Sequence, residues 1–190
     1  MNHKKDWKTL EKSQVYENPW INVEHHDVIN PSGGNGIYGV VRFKNIAVGI
    51  IPVDENGRTY LVGQYRYTLD EYSWEIPEGG CPKGEDPLDA AKRELLEETG
   101  LIAAKYDIIL PKFYTSNSVT DEYGIIYLAT GLTQGKSNPE ATENLAVKKL
   151  TLTDAIDMAK DGRISDLMSV AGLLACVGRE IQFLDLGEPN

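Results

Sequence analysis

The chain has 190 residues, 41% of them hydrophobic and 25% charged, which suits one globular domain with a buried core and excludes a sequence too polar to fold. A formal net charge of −10 argues against nucleic acid as a partner, because each phosphate contact on a long polyanion calls for a Lys or Arg, whereas a small phosphorylated ligand can be accommodated by a neutralising metal cation. The two cysteines, Cys81 and Cys176, lack disulfide-framework or zinc-site spacing, and with a polar start and no run of about 18 apolar residues the protein is expected to be cytoplasmic, away from membranes.

Residues 1–45 read as an N-terminal β-strand region ahead of a main domain over 46–190. Loose alternation over 20–28 and a β-rich run over 37–43, separated by Asn30-Pro31-Ser32-Gly33-Gly34, predict a hairpin-like pair. The apolar run 46–53, the turn Asp54-Glu55-Asn56-Gly57 and the run 59–67 predict two antiparallel core strands. A short strand over 71–76 leads into the loop 77–84. The next helix is bounded by its own punctuation, with Asp86 as N-cap, Pro87 at the first helical position and Gly100 as the stop. Strands are expected over 106–110, 112–115, 123–130 and 146–151, then a helix over 153–160 capped by Thr153 and a last helix over 165–177. Strands surrounding one central helix, without regular strand–helix alternation, give an α+β fold.

On the helix over 87–99, Glu94, Glu97 and Glu98 stand at i, i+3 and i+4, within about 100° of arc on one face. Leu88, Ala91, Leu95 and Thr99 share an adjacent face suited to packing on a sheet. Three neighbouring carboxylates repel one another unless a cation, or Arg93 beside them, balances the charge. Oxygen-rich clusters of this kind suit hard ions such as Mg2+ or Mn2+. Taken alone, the triplet reads more simply as a solvated acidic face.

The longer string is more specific. Gly79, five residues, Glu85, seven residues, Arg93-Glu94-Leu95, one residue, Glu97-Glu98, one residue, then Gly100-Leu101 fills every fixed position of the Nudix box. The chain thus resembles the Nudix hydrolase family, which implies an α/β/α sandwich with a mixed sheet, here carrying an N-terminal β appendage. The resemblance implies Glu94, Glu97 and Glu98 as metal ligands, with the backbone carbonyl near Glu78 completing the coordination, Glu85 as a further acid and Arg93 orienting the glutamates. Bound metal is expected to neutralise a diphosphate and lower the pKa of an attacking water.

Outside the box, Gln64-Tyr65-Arg66-Tyr67 and Trp74-Glu75-Ile76-Pro77-Glu78-Gly79-Gly80 look like segments of the ADP-ribose and nucleoside-diphosphate-sugar pyrophosphatases. That likeness makes Arg66, Tyr65, Trp74 and Glu75 candidates for substrate binding, Arg66 as a phosphate or ribose clamp and the aromatic residues as stacking surfaces. Members selective for ADP-ribose carry a proline about 16 residues past the box, a family property; Asn117 stands there, between Ser116 and Ser118, which favours a broader or different nucleotide sugar. Ser116, Asn117 and Ser118 are candidates for binding sugar hydroxyls. The subgroup places a catalytic or metal-binding glutamate in an acidic loop, for which Glu143 is the first choice and Glu140 the second. His3, His25 and His26 fall outside these motifs and read as surface residues. The same likeness implies a homodimer with exchanged N-terminal strands. Two alternatives stay open: a Nudix enzyme for dinucleoside polyphosphates or other nucleotides, and a sensor that binds a nucleotide sugar without cleaving it, although sensors usually carry degenerate boxes and this one is intact.

Overall fold

The computed structural model describes residues 6–135 and 145–181. It divides into two compact units, Met1–Asn45 with Tyr114–Tyr123, and Ile46–Phe113 with Gly124–Asn190.

The first unit is an antiparallel sheet of β1 (Lys8–Glu17), β2 (Ile21–Ile29) and β3 (Asn35–Phe43), in that spatial order. β1 is an addition to the expected hairpin. Every one of its residues is exposed, so it carries no alternating apolar row by which a strand is recognised. The turn between β2 and β3 is built by Asn30, whose Oδ1 accepts the amides of Ser32 and Gly34, both at 3.0 Å. On β3, Arg42 pairs with Asp121 at 3.1 Å and the Tyr38 hydroxyl donates to the Ser118 carbonyl at 2.6 Å, which attaches segment 114–123 to the sheet. His26, expected at the surface, is instead buried and bonded to Glu24 at 2.8 Å, because its position on the strand faces inward.

Among the described residues the second unit holds two sheets and three helices. One sheet has the order β10 (Ala146–Thr151), β5 (Arg58–Arg66), β6 (Glu71–Glu75). The other has the order β7 (Glu78–Cys81), β4 (Ile46–Pro52), β9 (Tyr123–Gln134), β8 (Leu101–Tyr114). The expected antiparallel pairing of β4 with β5 is therefore wrong. The two strands lie in different sheets: just past the end of β4, Val53 forms an isolated bridge with Thr59, while β4 itself pairs with β9 in parallel and with β7 antiparallel. The unbroken apolar run of β4 reflects a strand buried on both faces rather than one arm of a hairpin. The Asp54–Gly57 turn keeps the chemistry expected of it, with Asp54 Oδ1 accepting the Asn56 and Arg58 amides at 3.0 and 2.9 Å and Gly57 at φ 69°, but it passes the chain between sheets.

Three further boundaries shift. β8 is one long strand instead of two short ones, since an edge position tolerates Pro111. Four residues expected in a loop form β7, whose glycines give no propensity signal. The helices α2 (Leu152–Lys160) and α3 (Leu167–Ala175) are capped by Thr151 and Asp166 rather than beginning at Thr153 and Ser165.

Alternation along β4 and β9 makes the sandwich. Val48, Ile50, Tyr127 and Ala129 pack with Ala90, Ala91 and Leu95 of α1 (Pro87–Thr99). Ile51, Ile126 and Leu128 point the other way, into a core shared with α2, α3 and β5. Among the described residues, no helix is long and apolar enough to cross a membrane.

Candidate active site

α1 starts and stops where its sequence dictates. The Asp86 carboxylate accepts the Leu88 amide at 2.8 Å, and Gly100, at φ 72°, donates its N–H to the Leu96 carbonyl at 2.9 Å. With Ala90, Ala91 and Leu95 buried against the sheet, the rotation of the helix about its axis is set, and with it the direction of every glutamate.

Arg93 is the hub of the acidic residues. Its Nη1 donates to Glu94 at 2.6 Å and Glu97 at 3.1 Å, its Nε and Nη2 to Glu85 at 3.2 Å each, and Nη2 also to the Gly80 carbonyl at 2.9 Å. Glu85 first, then Glu94, hold the guanidinium above its ordinary pKa against the opposing effect of burial. One charge thus joins the loop, Gly80 of β7 and the helix.

Glu98 differs from its neighbours. It is 5% exposed, on the buried side of α1, and its Oε2 accepts the Glu78 amide at 3.0 Å. Glu94 lies so close to β7 that a Cβ added to Gly79 would stand 2.1 Å from its carboxyl carbon. Only glycine leaves the helix carboxylate room against this strand.

A second cluster sits across β5, β6 and β7. Register places Arg66 opposite Glu71 and Val62 opposite Glu75. The Arg66 guanidinium folds back onto Glu75 through a forked contact, Nε to both carboxylate oxygens at 2.8 and 3.1 Å and Nη2 to Oε2, and reaches Glu78 at 3.2 Å. Arg66 and Glu75, expected to bind substrate, are thereby each other's partners. Glu78 is the most unusual group here. Burial, then the charges of Asp166 and Glu75, push its carboxyl well above the usual range, opposed by Arg66. Its Oε2 is buried with no hydrogen-bond partner among the described residues.

The remaining candidates scatter. Tyr65 is exposed and its hydroxyl bonds Asp70. Trp74 packs edge-on against Tyr72 at 5.5 Å, with the Lys148 ammonium 5.3 Å from its ring. Asn117 and Ser118 line a cavity of about 550 Å3 in the first unit, with Trp7, His26, Tyr38 and Arg42. The Ser116 carbonyl accepts the Val119 and Thr120 amides at 3.1 and 3.0 Å. Glu143 and Glu140 lie outside the described residues. Asp166 and Ser169 of the last helix were not legible beforehand, because an N-cap Asp and a helical Ser carry no motif.

The donor set fits a hard divalent cation. It is all carboxylate oxygen, it is partly to fully buried, and it includes the unpartnered Glu78 Oε2. Among the described residues no three acidic, His or Cys side chains already converge as ligands on one point. The charge that gathers Glu85, Glu94 and Glu97 is that of Arg93.

Comparison with known proteins places this arrangement. Residues 43–167 match the NUDIX domain family, and residues 7–41 match the nucleoside diphosphate sugar hydrolase N-terminal domain. The chain belongs to the Nudix family. By class it is a pyrophosphohydrolase of that family. It is 33% identical over 183 residues to the ADP-ribose pyrophosphatase of Bacillus subtilis (strain 168), covering 95% of this chain and 94% of that one. A methanol dehydrogenase activator from Bacillus methanolicus is 32% identical with the same coverage, 95% and 94%. The ADP-ribose pyrophosphatase of Mycobacterium tuberculosis (strain ATCC 25618 / H37Rv) is 32% identical over 174 residues, 90% of this chain and 83% of that one. A crystal structure of an ADP compounds hydrolase superposes with a TM-score of 0.81 over 92% of this chain and 94% of that chain at 22% identity, and so shares the fold.

Proposed function

We propose that this protein hydrolyses the pyrophosphate bond of nucleoside diphosphate sugars, ADP-ribose among them, in a Mg2+-dependent reaction that yields a nucleoside monophosphate and a sugar phosphate. The observation that carries the reading is the carboxylate array of α1, gathered by Arg93 and set against Gly79 and the Glu78 amide. Relatives named ADP-ribose pyrophosphatase along nearly the whole chain support ADP-ribose as one substrate. Asn117, where ADP-ribose-selective members carry proline, supports a wider range that takes in hexose-linked nucleotides such as GDP-mannose.

In this reading Glu94, Glu97 and Glu98 would hold the cation, with Glu78 beside them. Bound Mg2+ supplies neutralisation of the diphosphate and acidification of a water. The chain's own residues do the positioning. Glu98 is aimed by the Glu78 amide, Glu94 is confined by Gly79, and Arg93 fixes the spread of Glu94 and Glu97. Glu78 is buried beside Arg66, which reaches its carboxylate at 3.2 Å and so ties this second cluster to the array. Glu143, with Glu140 as second choice, is assigned the general base; Glu143→Gln should lower kcat far more than Glu140→Gln, and the reverse order would exchange the two.

The test of substrate class is a panel of ADP-ribose, GDP-mannose, UDP-glucose, diadenosine polyphosphates and nucleoside triphosphates, with products identified. Turnover of nucleotide sugars to monophosphate and sugar phosphate is expected; turnover of triphosphates alone would refute the reading. We also assign a homodimer joined through the first unit, since a three-stranded sheet with a fully exposed edge strand gains from a neighbour. Sedimentation equilibrium giving the mass of one chain at micromolar concentration would contradict it.

A further inference from the structure

The passage from β6 to β7 is where the two clusters of the site are tied together, and it is pinned from three sides. The Ile76 amide donates to Ser169 Oγ of α3 at 2.9 Å. The Pro77 carbonyl accepts the Ile50 amide of β4 at 2.8 Å. The Glu78 amide donates to Glu98 of α1 at 3.0 Å. On either side of the passage stand Glu75 and Glu78, the two carboxylates that grip Arg66.

Two of the three pins belong to the sheet and to the carboxylate helix itself. The third comes from a helix with no side chain among the expected site residues. Ser169 is fully buried, and its own amide is held by the Asp166 carboxylate at 2.7 Å, so its place in the first turn of α3 is fixed. The side chains around this contact are closely packed. Gly49 of β4 leaves the space in which Ile76 and Met168 meet, and a Cβ there would stand 2.9 Å from Ile76 Cδ1 and 3.0 Å from Met168 Sδ. A buried amide that loses its acceptor must find another or move toward water. Ile76 can do so only by shifting the segment that carries Glu75 and Glu78.

We infer that Ser169 is a positioning residue for the reaction: by accepting the Ile76 amide it holds the β6–β7 passage in the register at which Glu78 meets Glu98 and Glu75 meets Arg66. The inference rests on the reading of the α1 carboxylates as the reactive centre, but its effect on the passage can be read without turnover.

The experiment compares wild type with Ser169→Ala and Ser169→Cys; the cysteine variant retains the shape while replacing the oxygen by a weak acceptor, and decides the matter where alanine does not fold. Two readouts are taken on the folded protein, kcat and KM on ADP-ribose with Mg2+, and amide hydrogen exchange at Glu78 and at Leu95 in the middle of α1. The expected result is a fall in kcat of about tenfold or more with KM within about twofold, as for a misplaced catalytic group. Exchange at Glu78 should quicken about tenfold while Leu95 stays protected, marking local displacement rather than general loosening. Unchanged protection at Glu78, or equal loss at Glu78 and Leu95, would overturn the inference. If the wild type hydrolyses none of the nucleotide sugars, the proposed function fails, and exchange at Glu78 still decides the role of Ser169.

Discussion

Arg93 and Glu94 show how closely single residues are fitted around the site. Arg93 contacts three carboxylates and one carbonyl, and Glu94 lies against the α-carbon of Gly79. Gly79→Ala would force the end of the Glu94 side chain aside while leaving both backbones where they are. Activity should therefore fall by about 10²-fold, the scale of a misplaced group, with the melting temperature nearly unchanged; equal activity would show that Glu94 has no part in the reaction. The helix residues of this constellation were legible because the box fixes their spacing on one element. The Arg66–Glu75–Glu78 clamp was not, since it depends on strand register and on where β6 crosses to β7. Glu98 was legible as an acid but not as a buried one. Spacing along a helix groups side chains, and only packing tells which of them is turned inward.

At the scale of elements, local chemistry carried further than pairing. Asp86 and Gly100 bound α1, and Asn30 and Asp54 build their turns, each through bonds within a few residues. Partners of β4 could not be read from its own residues, because an apolar run states burial on two faces without naming the neighbours. The β4–β5 turn offers a clean test of its electrostatics. Burial alone would raise the Asp54 carboxyl, but Lys149 at 2.7 Å and the Arg58 and Asn56 amides override it and hold it below the usual carboxylate range. A carboxyl depressed in the folded state contributes stability that is present above its unfolded pKa and is lost as pH falls through the folded one. Asp54→Asn should thus be less stable than wild type by about 1 kcal/mol at neutral pH, with the gap closing below about pH 4. Thermal melts across that range check it, and a gap that widens in acid would contradict the assignment.

For the whole molecule, the two matched families divide the chain near the start of β4, and the carboxylate array lies on the sheet, loop and helix of the second unit. That unit supplies a buried acidic centre whose repulsion is balanced by Arg93 and Arg66. The residues expected to bind substrate divide between the units, Asn117 and Ser118 on the first unit's cavity and Tyr65 and Trp74 on the second. Fold and reaction class were legible in 23 consecutive residues over 79–101, while the residues expected to bind substrate lie in distant parts of the chain. We propose that the α1 carboxylates hold the cation for Mg2+-dependent cleavage of a diphosphate. That role is tested most directly by measuring nucleoside monophosphate release from ADP-ribose, with Mg2+ and with chelator, in wild type and in Glu98→Gln, which keeps the size of the side chain and removes its charge. The account predicts release in wild type that needs Mg2+ and is lost by about 10²-fold or more in the variant, whose circular dichroism stays native; undiminished release in Glu98→Gln, or release unaffected by the chelator, would contradict it.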